Sequence, residues 1–199
     1  YAVETVRMLL DRGLIVQEGA AYRLTGAVGE LEVPETLQAL IAARLDTLSQ
    51  ERKSLLQAAA VLGKVFWAGA VAEMTGRELR EVELVLHELA RKELVRPART
   101  SSMAGEAEYG FWHLLVRDVA YNQIPRAARA ERHRAAAGWL ERQAGERAED
   151  LADVLAYHYT KALELAHAAG DTQQAAELAV PARRFLALAG ERALGLDTA

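Results

Sequence analysis

The 199-residue sequence predicts a mainly α-helical chain punctuated by two short strand pairs. Three observations carry that expectation. Apolar residues recur at helical spacing through most of the chain. In the middle, "LVRPARTSSMAGEAEYGFWH" has a short apolar start, a Pro/Ser/Gly-rich stretch and an aromatic return, which is the pattern of two strands joined by a long turn. From Asp150 onward the chain is alanine-rich and broken only at Gly170-Asp171, as expected of a helical pair.

Taken in order, "YAVETVRMLLDRG" places Val3, Val6, Leu9 and Leu10 at helical spacing and ends at Gly13, a left-handed cap. "LIVQEGAAYRLTG" reads as a hairpin turning near Gly19. Pro34 suits a first helical turn, and Leu37, Leu40, Ile41, Leu45 and Leu48 follow on one face. Ser49 is placed to cap the next helix, "QERKSLLQAAAVLG", which Gly63 closes. "FWAGAVAEMTG" reads as a short helix ending at Gly76, and "RELREVELVLHELARKELV" puts Leu79, Val82, Leu86 and Leu89 on one face. Three helices followed by a two-stranded wing make a winged helix. After His113 the helical pattern resumes in "LLVRDVAYNQI", breaks at Pro125 and returns in "RAARAERHRAAAGWLERQAG". The alanine-rich pair that follows resembles the start of a tetratricopeptide-like array, with Pro181 expected to kink its second helix.

Composition narrows the function. A content of 51% hydrophobic and 26% charged residues is that of a globular domain with a real core. No run of about 18 apolar residues and no leader pattern points to membrane insertion or export. Zero cysteines remove disulfide and thiolate chemistry and suit a reducing cytoplasm. The chain opens without methionine inside a helical pattern, which reads as a piece of a longer protein.

Catalytic constellations are missing. Gly63-Lys64 has Ala58 where a phosphate loop needs its first glycine and Val65 where it needs a hydroxyl, so it is no Walker A. His87-Glu88 is followed by Arg91 where a zinc helix needs its second histidine, and no G-x-S-x-G elbow occurs. No catalytic residue, metal site or cofactor of the fragment's own is expected.

A winged helix raises DNA binding, yet net charge is −4 and the third helix balances Arg77, Arg80, Arg91 and Lys92 against Glu78, Glu81, Glu83 and Glu88. Such a face gains little from counterion release. Arg126, Arg129, Arg132 and Arg134, with Glu131 among them, read as a solvated or domain-contacting face. A DNA-binding regulator and a helical protein-interaction scaffold stay open as alternatives.

Two phrases point further. "VPETLQALIAARLDTLSQERKSLLQAAAVLGKVFW" and "YGFWHLLVRDVAYNQIPRAARAERHRAAAGWLE" occur in that order, and together resemble the region downstream of the nucleotide-binding core in bacterial STAND-type ATPases. These AAA-like signalling proteins join an ATPase to tetratricopeptide-like repeats, and often to an adenylate/guanylate cyclase or LuxR-type domain. The resemblance covers roughly residues 1 to 170. It implies a lid remnant over residues 1–48, a winged helix over 49–124 and a helical extension over 125–199. It also implies a cytoplasmic parent whose upstream core binds ATP or ADP with Mg, with Tyr1 to Glu4 following an adenine-contacting Gly-x-Pro element. The partners it implies are that core and the downstream repeats of the same chain.

Matching "FWHLLVRD" to the Met-His-Asp motif of plant resistance proteins in this class puts His113 where a histidine reaches the ADP phosphates. Leu114 stands in place of that motif's aspartate, and Trp112 where related bacterial sequences carry a basic residue. The alternative is a histidine packed under the wing and bonded to a backbone carbonyl. Arg117 and Asp118 are expected to fix how the following helix docks. His133, Trp139 and His158 sit at helical spacing and read as packing residues.

Overall fold

The structure is a computed structural model that describes residues 6, 7, 9, 10, 15–18, 21–25 and 37–196. Tyr1 to Glu4, Gly13, Gly19 and Pro34 lie outside the described residues. The chain is mainly helical with a small antiparallel sheet near its middle. Val6, Arg7, Leu9 and Leu10 are helical, as the apolar spacing predicts. Strands β1 (Ile15–Glu18) and β2 (Ala21–Leu24) pair antiparallel with Glu18 opposite Ala21.

Helix α1 (Leu37–Asp46) buries Leu40, Ile41 and Leu45, while Leu37 and Leu48 pack at the edge of the core. Ser49 caps α2 (Gln50–Leu62), its Oγ accepting from the Arg52 amide at 3.4 Å. From Leu55 to Leu62 every residue of α2 is buried, so this helix is the centre of the packing.

Beyond Gly63 the structure departs from the expected helix. Val65–Trp67 form a strand, β3, and helix α3 (Ala68–Thr75) begins only afterwards. A β-branched residue followed by two aromatics favours a pleated surface over a helix. The strand forms because β5 offers it a free edge, and Phe66 then packs against Tyr109 and Phe111. The expected two-stranded wing is therefore part of a three-stranded sheet.

Gly76 closes α3 at φ 65°, the left-handed cap that glycine tolerates. Helix α4 (Leu79–Arg91) buries Val82, Leu86 and Leu89 completely, but Leu79, expected on that face, is 45% exposed. Strands β4 (Val95–Pro97) and β5 (Glu108–Phe111) follow, in the order β3-β5-β4 with all pairs antiparallel.

Helix α5 (Leu114–Asn122) leads over Pro125 into α6 (Arg126–Ala144). A 3-10 turn at Gly145–Leu151 then delivers α7 (Ala152–Ala169) and α8 (Thr172–Leu196), joined at left-handed Gly170. Alanines 152, 156, 162 and 166 of α7 and 175 and 182 of α8 are buried, since small residues let two helices approach closely. Tyr159 stacks on Phe185 with ring centroids 5.7 Å apart. Helix α8 runs on through Pro181, whose ring nitrogen has no hydrogen to give the preceding turn.

One buried cluster runs from Ile41 to Phe185 and crosses positions 48/49 and 124/125. Trp67 stacks on Trp139 of α6 at 5.9 Å, and Arg142 pairs with Glu73, so α3 and α6 are joined by both ring contact and charge. No helix of the described residues is long and apolar enough to cross a membrane.

Candidate functional site

His113 sits where β5 hands over to α5. The Trp112 amide donates to the Leu94 carbonyl at 3.1 Å, which ends the sheet, and the His113 carbonyl accepts from the Val116 amide at 3.0 Å, which starts the helix. The backbone of His113 is extended, with φ −131° and ψ 138°, as an N-cap residue requires. Its side chain is exposed and makes no capping bond. The alternative expectation, an imidazole packed under the wing on a carbonyl, is therefore not the arrangement found.

On either side, Trp112 is 40% and Leu114 54% exposed. An apolar residue so placed gains nothing in the isolated chain, and the two are the immediate sequence neighbours of His113. Amide groups left free in the first turn of α5 favour an anion beside His113. The site thus offers one hydrogen-bonding ring, a helix N-terminus and two apolar flanks.

Arg117 and Asp118 lie one turn further on. The Arg117 Nε donates to the Ala60 carbonyl of α2 at 2.8 Å, and its second nitrogen pairs with Asp118 at 3.1 Å. The guanidinium also lies over the Tyr121 ring, 4.9 Å from its centroid. This arginine ties α5 to the central helix and so fixes the angle at which His113 is presented.

A second constellation was not legible in the sequence as such. The Tyr121 hydroxyl of α5 meets His133 Nε2 of α6 at 2.9 Å, and His133 Nδ1 meets His158 Nδ1 of α7 at 2.9 Å. Both histidines are buried, His133 fully and His158 at 1% exposure. Burial, reinforced for His133 by His158 and for both by nearby Arg117, lowers His133 to about 3 and His158 to about 4. Both rings are therefore neutral at neutral pH. Burial raises the Tyr121 phenol, so its O–H is available as donor. With Tyr121 donating to Nε2, His133 carries its proton on Nδ1 and donates to His158, whose own proton then sits on Nε2. Three helices are joined by one chain of neutral hydrogen bonds. The sequence marked His133 and His158 only as packing residues, because their pairing depends on how α6 and α7 cross.

Some of the charged residues weighed for DNA binding are engaged within the chain, while Arg80, Arg91 and Arg126 are exposed and a buried nitrogen of Arg132 has no hydrogen-bond partner among the described residues. Arg77 pairs with Glu51 at 2.6 Å and Glu88 with Arg52 at 2.5 Å. Arg129 donates to the Ile124 and Asn122 carbonyls at the end of α5, both at 2.8 Å, where the helix dipole favours a cation. Arg134 pairs with Glu131 at 2.6 Å. Gly63-Lys64 joins a helix to a strand, the reverse of the strand-to-helix order a phosphate loop requires. Among the described residues no three His, Cys, Asp or Glu side chains group as metal ligands. No known protein family, no curated protein and no solved structure matches this chain.

Proposed function

We propose that the chain is a non-catalytic regulatory segment of a STAND-type signalling ATPase in the cytoplasm, coupling the nucleotide state of an upstream core to downstream sensor repeats. On this reading α2, α3 and α4 with the β3–β5–β4 sheet are its winged helix, and α7–α8 is the first hairpin of a tetratricopeptide-like array. The observation that carries the reading is His113, an exposed imidazole at a strand-to-helix junction between two exposed apolar residues. Val180, Leu186 and Leu194, exposed at 63%, 51% and 71% on α8, support a further helix packing there.

The residues present suit one contact to a nucleotide. His113 beside the N-terminus of a nine-residue helix is placed to donate a hydrogen bond to an anion. ADP bound in the parent's core would supply the phosphate oxygens that accept it, and ATP/ADP with Mg would be held by that core. Arg117 and Asp118 position the helix that carries His113 and touch no nucleotide. The DNA-binding alternative draws little from the region of α4, where Arg80 and Arg91 stand against Glu78, Glu81 and Glu83 and the preceding Arg77 is paired with Glu51.

The test uses the full-length parent. A charge-assisted hydrogen bond of this kind contributes about 1.5–3 kcal/mol, so His113→Ala is expected to speed ADP release and shift the closed-to-open balance by roughly ten- to a hundredfold. Signalling output without input should rise while thermal stability stays unchanged. An unaltered ADP off-rate overturns the reading.

A further inference from the structure

The two faces of the sheet are unequal. One sends Phe66, Val95, Tyr109 and Phe111 into the core. On the other, residues opposite each other across the strands share a side, so Val65, Gly110 and Arg96 form one row and Trp67 and Glu108 lie in the next. Trp139 stacks on Trp67, which covers that end. At the other end Val65 is 40% exposed and Gly110 brings no side chain. The result is an open groove of about 430 Å3 reached by all three strands, with Lys64, Arg96 and Arg99 in its lining.

These three cations differ from several other arginines of the chain. Arg52, Arg77, Arg134 and Arg142 each pair with a glutamate. Among the described residues Lys64, Arg96 and Arg99 form no ion pair and no side-chain hydrogen bond. The one carboxylate in the groove, Glu108, is held by Ser102, whose amide and hydroxyl donate to it at 2.6 and 2.5 Å. Those bonds keep it ionised, so the lining sets three cations against one carboxylate. In a chain of net charge −4, the groove is a local island of positive charge. At physiological salt, screening over about 8 Å makes the local charges count for more than the total.

We propose that this groove binds the phosphates of a small oligophosphate ligand. Arginine forks grip phosphate oxygens in pairs, and lysine adds a compact charge. Gly110 lets the anion approach the strand without meeting a side chain. A compact oligophosphate suits three cations gathered in the lining of one groove, whereas Arg77 and Arg52 alongside α4 are already paired. The inference is independent of His113 and stands if that reading fails.

Inorganic pyrophosphate is the probe, titrated into the chain at about 150 mM salt while the amide shifts of Gly110 and Arg99 are followed. A dissociation constant of about 0.1–1 mM is expected, weakened at least about tenfold in Lys64→Ala/Arg96→Ala/Arg99→Ala. Gly110→Glu is the second variant. A Cβ there meets the Lys64 carbonyl at 3.5 Å, an ordinary contact, so the fold tolerates it while a carboxylate enters the groove. It should abolish binding with all three cations in place. An Arg126→Ala/Arg183→Ala control, removing exposed cations elsewhere, should bind as the parent does. Failure to saturate, equal weakening in the control, or a DNA duplex binding more tightly than pyrophosphate with a steep salt dependence would each overturn the proposal.

Discussion

Glu93 holds φ at 55° just past the end of α4, the left-handed region where non-glycine residues are strained. The helix closes over it: the Glu93 amide donates to Ala90 at 2.9 Å and the Leu94 amide to Leu89 at 3.0 Å. Glu93 also pairs with Arg7, and a partly exposed pair of this kind contributes about 0–1 kcal/mol. Glu93→Gly should relieve strain worth about 1 kcal/mol and so melt roughly 2–4 °C above Glu93→Ala. Glu93→Ala loses the same pair but keeps the strain, so it should melt below both; a Glu93→Gly protein no more stable than Glu93→Ala would rule out strain at this position. Arg44 illustrates the same scale. It is 3% exposed on an otherwise apolar face of α1, and its guanidinium donates to the Lys92 carbonyl at the end of α4. Periodicity places Arg44 within the apolar stripe, but the carbonyl that accepts from it lies 48 residues away.

At the scale of elements, Tyr121, His133 and His158 join α5, α6 and α7, and their chemistry sets a pH dependence. The folded-state values of about 3 and 4 lie below the ordinary histidine value of 6.5, so the unfolded chain binds more protons between them. Stability is therefore full above about pH 6.5 and falls as the pH drops toward 4, costing on the order of 3–4 kcal/mol for the pair by about pH 5. Glu108 and Glu131, held below the usual carboxylate range by Ser102 and Arg134, lose their contribution at lower pH still. Urea midpoints at pH 7 and 5 should differ, and His158→Gln, which cannot titrate, should roughly halve the difference. An unchanged difference in that variant would locate the proton uptake elsewhere. Helix starts and stops were largely legible: Ser49 caps α2, Gly76 closes α3 and Gly170 separates α7 from α8. The start of α3 was not, because its first turn is capped from afar. The Glu106 carboxylate of the β4–β5 connection accepts from the Gly69 amide at 3.1 Å, a contact no local pattern announces.

For the whole molecule, the single core from Ile41 to Phe185 decides how the chain unfolds. Trp67 and Trp139 lie on opposite sides of position 124/125 and stack on each other. Tryptophan fluorescence and far-ultraviolet circular dichroism should therefore lose signal in one coincident transition. Two separated transitions would mean that residues 49–124 and 125–199 unfold as independent units. The isolated chain should also lack ATPase activity, bind ATP no tighter than about 10 µM, which is roughly −7 kcal/mol, and leave duplex DNA unshifted at about 100 mM salt. Calorimetry and gel shift measure both; micromolar ATP binding or a steep salt dependence on DNA would contradict the regulatory reading.

The sequence by itself determined the helices and most of their ends. Helical hydrogen bonds join residues four apart, and the buried face repeats within the same short window, so both are written locally. His113 was likewise legible as a residue, through its place in "FWHLLVRD" at the start of a helix. What only the tertiary structure decided are the relations between distant segments. Val65–Trp67 became a strand because β5 had an edge to offer, Arg44 was buried because α4 ended beside it, and His133 met His158 because α6 and α7 cross there. The exposure of His113 belongs to the same class. Whether an imidazole is covered depends on where the sheet and α5 carry it relative to the rest of the chain, and that is set by packing across the core.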